Sequence, residues 1–87
     1  MLPPSYPDLK DAILAAAKLS GAGYVHREQG IAGWFVSGVI PRGVEAYFRV
    51  VAGRVYVRSA DDRKEYLFGR IEGATIIQAA GPARGKQ

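Results

Sequence analysis

Two rhythms divide the chain. Between Leu9 and Ser20 the apolar residues Leu9, Ala12, Ile13, Ala16 and Leu19 recur three and four positions apart, the spacing that lines one face of a helix. Lys10, Asp11 and Lys18 fall away from the centre of that stripe. Ser5 is expected to cap this helix, with Pro7 at an early position and Asp8 bringing negative charge to the first turn. Gly21 and Gly23 supply its stop. From Tyr24 onward the period drops to two, with β-branched and aromatic residues punctuated by glycine. Six strands are expected, near residues 24–28, 33–40, 44–51, 54–59, 65–71 and 74–79. The connections between them are short, which favours antiparallel neighbours joined as a meander.

The pattern therefore predicts an α+β fold. One N-terminal amphipathic helix packs on a curled antiparallel meander sheet of five to six strands. Residues 1–6 read as an extended, proline-stiffened arm, 7–79 as a single domain, and 80–87 as a flexible basic tail. The hairpin at Ala52-Gly53 yields a register. A two-residue loop pairs Val50 with Val55 and Phe48 with Val57, which makes one face apolar. The other face then pairs Arg49 with Tyr56 and Tyr47 with Arg58, with Val51 and Arg54 beside the turn. The apolar face belongs under the helix and the Tyr/Arg checkerboard outside. Trp34 and Phe35 point to opposite faces, one into the core and one toward an interface. The uncharged run Ala74 to Ala79 is expected to be covered or paired, a homodimer being one way to do so.

Composition narrows the chemistry. The 87 residues include no cysteine, which excludes disulfides, thiolate metal sites and a cysteine nucleophile. A single histidine, His26, argues against a zinc centre. Asp61-Asp62 reads as a solvated turn, because calcium and magnesium loops need more oxygen ligands. No metal or cofactor is expected. The first residues lack a secretory signal pattern and no apolar run is long enough to span a bilayer, so the expected location is the cytoplasm. The net charge is +4, and two of the positive charges, Arg84 and Lys86, lie in the tail. That is a lean toward acidic partners.

Three features are candidates for function. The first is the checkerboard of Tyr47, Arg49, Arg54, Tyr56 and Arg58, extended by Arg63 and Tyr66. Aromatic rings beside guanidinium planes can meet an acidic protein surface, or stack bases and bind phosphates of RNA or single-stranded DNA. The same pairs also stabilise a solvated sheet face. The second is His26-Arg27-Glu28, where His26 and Glu28 share a strand face and could form an acid–base pair. A lone strand histidine is more often a surface or rim residue, and that placement is expected here. The third is a resemblance. The runs Tyr47-Phe48-Arg49-Val50-Val51, Gly53-Arg54-Val55-Tyr56-Val57 and Arg63-Lys64-Glu65-Tyr66 resemble the C-terminal strands of RelE/ParE-family toxins. The resemblance implies a metal-independent ribonuclease, with Arg49, Arg63 and Tyr66 as phosphate-binding and acid–base candidates.

By elimination the chain reads as a small non-enzymatic interaction protein. Its basic and aromatic sheet surface would bind an acidic partner or a nucleic-acid-associated protein. Inhibitors that phages direct against host defence complexes are of this kind. RNA or single-stranded DNA binding and a ribonuclease toxin are the alternatives.

Overall fold

The computed structural model describes residues 5–19, 21–61 and 63–79. The remainder of the expected arm, Asp62, and the expected tail with Arg84 and Lys86 lie outside the described residues. One helix, α1 (Leu9–Ala17), packs on an antiparallel sheet. The strands are β1 (Ser5–Tyr6), β2 (Ala22–Glu28), β3 (Trp34–Ser37), β4 (Val44–Val51), β5 (Arg54–Ser59), β6 (Tyr66–Glu72) and β7 (Thr75–Gln78). There are thus seven strands among the described residues, not five to six. The additional one is the short β1, whose Ser5 and Tyr6 pair with Phe35 and Trp34.

The helix is capped by Asp8, not Ser5. The Asp8 carboxylate accepts from the Lys10 backbone N–H at 3.0 Å, and its own carbonyl accepts from Ala12. Ser5 is unable to cap because pairing with Phe35 holds it in the sheet. The helix ends at Ala17, and Leu19, expected on the buried stripe, is left 41% exposed. Ala12, Ile13 and Ala16 are its buried residues. Gly23 is not part of the stop; it lies in β2 directly beneath the helix. A Cβ there would come within 2.9 Å of the Ala16 carbonyl oxygen and of Leu19 Cδ1. The small residues at 16 and 23 are what let helix and sheet approach so closely.

Helix α1 touches β1 and β3 toward one edge of the sheet and β7 at the other. Seven flat strands would be about 29 Å wide, against about 10–12 Å for a helix. The sheet must therefore curl around it. Val25, Val36, Phe48, Val50 and Val55 form the sheet side of the core, with Trp34, Phe68 and Ile76 packed against it. Trp34, Phe48 and Phe68 meet edge to face, with ring centroids 5.7 and 5.2 Å apart, a favoured aromatic geometry.

The strand order is β1-β3-β2-β4-β5-β6-β7, so the sheet is not a simple meander. β3 and β4 do not pair; both flank β2. The run expected as one strand over 33–40 stops at Ser37, and residues 38–43 become a crossover. Ser37 lies opposite Tyr24 and Val44 opposite Glu28. The crossover must therefore travel back along β2 by about 13 Å, within reach of six residues.

Its face follows from chirality. β1 and β2 are parallel with β3 between them, and α1 connects them across one face. β3 and β4 are parallel with β2 between them, step in the same lateral direction, and run the opposite way. Two crossovers of the same hand in that arrangement must lie on opposite faces, and crossovers strongly favour one hand. The 38–43 segment accordingly passes over the face away from the helix, where Val39 and Pro41 share a pocket with His26.

Candidate binding site

Alternation along the strands assigns the side chains of this outer face. Val25, Val36 and Phe48 point to the helix, so Tyr24, His26, Phe35, Ser37, Tyr47 and Arg49 point away from it. Two neighbouring regions result, one basic and one covered by the crossover.

The basic region lies on β4, β5 and β6. Its register is the one the sequence predicts: Val50 pairs with Val55, Phe48 with Val57, Arg49 with Tyr56, Tyr47 with Arg58 and Val51 with Arg54. The turn has positive φ at both central residues, Ala52 (53°) and Gly53 (76°), as a type I′ hairpin turn requires. Arg58 lies over the Tyr47 ring at 4.7 Å and Arg49 over Tyr56 at 4.9 Å. Arg49 also grips Glu65 with two bonds, Nε to Oε2 at 3.0 Å and Nη2 to Oε1 at 2.6 Å. That bidentate bond raises the Arg49 pKa and lowers that of Glu65. Arg54 and Arg58 form no ion pair within 4.0 Å among the described residues, although the Arg58 charge also helps lower the Glu65 pKa. Arg70, opposite Arg54 across β5 and β6, is held by Glu72 at 2.7 Å.

The remaining sequence candidates are placed differently. Arg63 is exposed on the approach to β6. Tyr66 pairs with Val57 and so belongs to the helix side of the sheet, where it is 46% exposed. It therefore does not join the Tyr/Arg face. Arg49, Arg63 and Tyr66 are not brought to one point: Arg49 is committed to Glu65, and Tyr66 projects to the opposite side. Tyr47 is only 8% exposed, and its ring face is covered by Arg58.

The second region holds His26 and Glu28, the pair read from the sequence as sharing a strand face, but its cover was not anticipated. His26 is 2% exposed, not a surface or rim residue, because the 38–43 crossover passes over it. Its ring lies against Phe35, 5.9 Å between centroids and 21° from parallel. Neither imidazole nitrogen has a hydrogen-bond partner among the described residues. Burial lowers the His26 pKa below 6.5, against a smaller opposing effect of Glu28. Leaving buried polar atoms unpaired costs about 1–3 kcal/mol each. The ring forms the floor of a pocket of about 510 Å³ lined by Glu28, Ile31, Phe35, Ser37, Val39 and Pro41. Ser37 pins the start of the crossover, donating to the Val39 carbonyl at 2.6 Å and accepting its N–H at 3.0 Å. Gly38 and Pro41, within or just after the run expected as a strand, were the sequence signal that it breaks there.

Among the described residues there is no cluster of three or more metal-ligating side chains, and no helix is long and apolar enough to cross a membrane. No protein-family model, no curated protein and no solved structure matches the chain.

Proposed function

We propose that this chain is a non-enzymatic interaction module that takes an acidic protein partner on the outer face of β4 and β5. The observation carrying this reading is the state of the arginines. Arg58 is preorganised on the Tyr47 ring, and neither Arg58 nor Arg54 forms an ion pair within 4.0 Å among the described residues, Arg58 acting on Glu65 only from beyond that distance. Guanidinium planes held by stacking lose little freedom when they bind a carboxylate in a fork, which favours affinity. A protein partner fits better than single-stranded nucleic acid. Base stacking needs open aromatic faces, whereas Arg58 and Arg49 already occupy those of Tyr47 and Tyr56. The ribonuclease reading has less support, since Arg49, Arg63 and Tyr66 do not converge. On this reading the chain would act as an inhibitor of a nucleic-acid-handling protein complex, engaging acidic side chains of that complex through its arginines.

The test is capture of binding proteins from nuclease-treated lysate, comparing wild type with an Arg54→Glu/Arg58→Glu variant. Lys10→Glu/Arg42→Glu, at two exposed positions away from that face, is the control of equal charge change. Binding kept by the control and lost by the double variant supports the reading. Binding that survives the double variant, or that disappears with nuclease, overturns it.

A further inference from the structure

The pocket over His26 has a chemistry opposite to that of the arginine face. Its walls are apolar, from Ile31, Phe35, Val39 and Pro41, and its polar groups are Glu28, Ser37 and His26. The Ser37 hydroxyl is already used, as donor and acceptor, by Val39. No cation among the described residues pairs with Glu28: Arg27 and Arg49 take Glu45 and Glu65, and Arg70 takes Glu72. The imidazole beneath has both nitrogens unpartnered and is buried. The volume of about 510 Å³ falls in the range of small-ligand sites, which combine apolar walls with a few convergent polar groups.

We infer that this pocket binds a small, flat aromatic ligand carrying an amino or amidine-like donor edge. The ring lies among Phe35, Ile31 and Val39, and the donor edge meets the Glu28 carboxylate above the His26 floor. Three observations select this class. Phe35 and the aliphatic wall favour a planar apolar body. An unpaired carboxylate two residues along the strand from His26 demands a donor, and a cationic one most strongly. Finally, the pocket carries no positive group, since burial keeps His26 neutral at pH 7, so an anion is disfavoured. The site does not depend on the acidic-partner reading, because an acidic group would be repelled by Glu28.

The experiment is an amide-resolved NMR titration of the full chain with 2-aminobenzimidazole, with 1-naphthoate as the bicyclic anion. The expected result is saturable shifts confined to residues 26–41, half-complete below about 1 mM, as a ligand of about ten heavy atoms can reach. Glu28→Gln should weaken the aminobenzimidazole about five- to tenfold while keeping the dispersed spectrum of the folded protein. Naphthoate should leave those amides unmoved. The inference is overturned by no saturation near 1 mM, by shifts centred on Tyr47, Tyr56 and Arg58, by equal binding of naphthoate, or by a folded Glu28→Gln variant that binds as tightly as wild type.

Discussion

Replacing His26 with phenylalanine should stabilise this protein, although the residue is among its most buried. The imidazole has two nitrogens without partners among the described residues, each carrying a desolvation cost of about 1–3 kcal/mol. Phenylalanine removes both and keeps a flat ring against Phe35. Its larger ring must find space, at an overpacking cost of about 1 kcal/mol or more in a filled core. Here the adjoining pocket of about 510 Å³ can absorb it. The net expectation is about 1–3 kcal/mol of added stability at pH 7.5. At about 4–8 °C per kcal/mol for a domain of this size, that is a Tm increase of roughly 4–24 °C.

The difference should also depend on pH. The folded-state pKa of His26 lies below its ordinary 6.5, so between the two values the unfolded chain binds a proton that the folded chain does not. Wild-type stability is then fully present above pH about 6.5 and falls as pH drops, with a slope of up to about 1.4 kcal/mol per pH unit. His26→Phe removes this slope, so its advantage widens toward pH 5. Urea unfolding followed by the fluorescence of Trp34, which packs on the core, measures both effects. A variant less stable than wild type at pH 7.5, or a gap that does not grow on acidification, would refute the argument that these nitrogens are unsatisfied.

Gly23→Ala should destabilise by about 1–3 kcal/mol in thermal unfolding, since its Cβ meets the Ala16 carbonyl, which cannot swing aside. Ala52→Asn should stabilise by about 0.5–1 kcal/mol, because Ala52 already holds φ at 53° and asparagine tolerates that region better; no gain in urea midpoint would argue against the turn type. The Arg49–Glu65 pair should contribute about 0.5–1 kcal/mol in a double-mutant cycle at neutral pH. Glu65 has a lowered folded pKa, so its contribution is present above pH about 4.5 and lost as pH falls through the folded value. A coupling unchanged at pH 3 would contradict the bidentate bond.

Much of the local structure was legible along the chain because it depends on neighbours in sequence. The helix stripe of Leu9, Ala12, Ile13 and Ala16, the Ala52-Gly53 turn and the β4–β5 register all follow from periodicity and turn chemistry. Strands 44–51 and 54–59 were placed at their observed ends. The Tyr/Arg ladder is a consequence of that register, and so its four stacked members could be named without a structure. Asp8 took the cap from Ser5 only because a long-range pairing, Ser5 with Phe35, competed for the backbone. Tyr66 left the expected face because the bulge between Val55 and Tyr56 shifts the register of β6.

The sequence by itself determined the period of each segment, the tight hairpin and hence which residues share the β4–β5 face, since these are set within a few residues. Only the tertiary structure decided where β4 goes. Pairing β4 with β2 instead of with β3, whose other edge takes β1, is a long-range choice that no window of sequence contains. Once made, chirality sends residues 38–43 over the outer face. A histidine that reads as a rim residue thereby becomes the floor of a pocket, with Glu28 beside it.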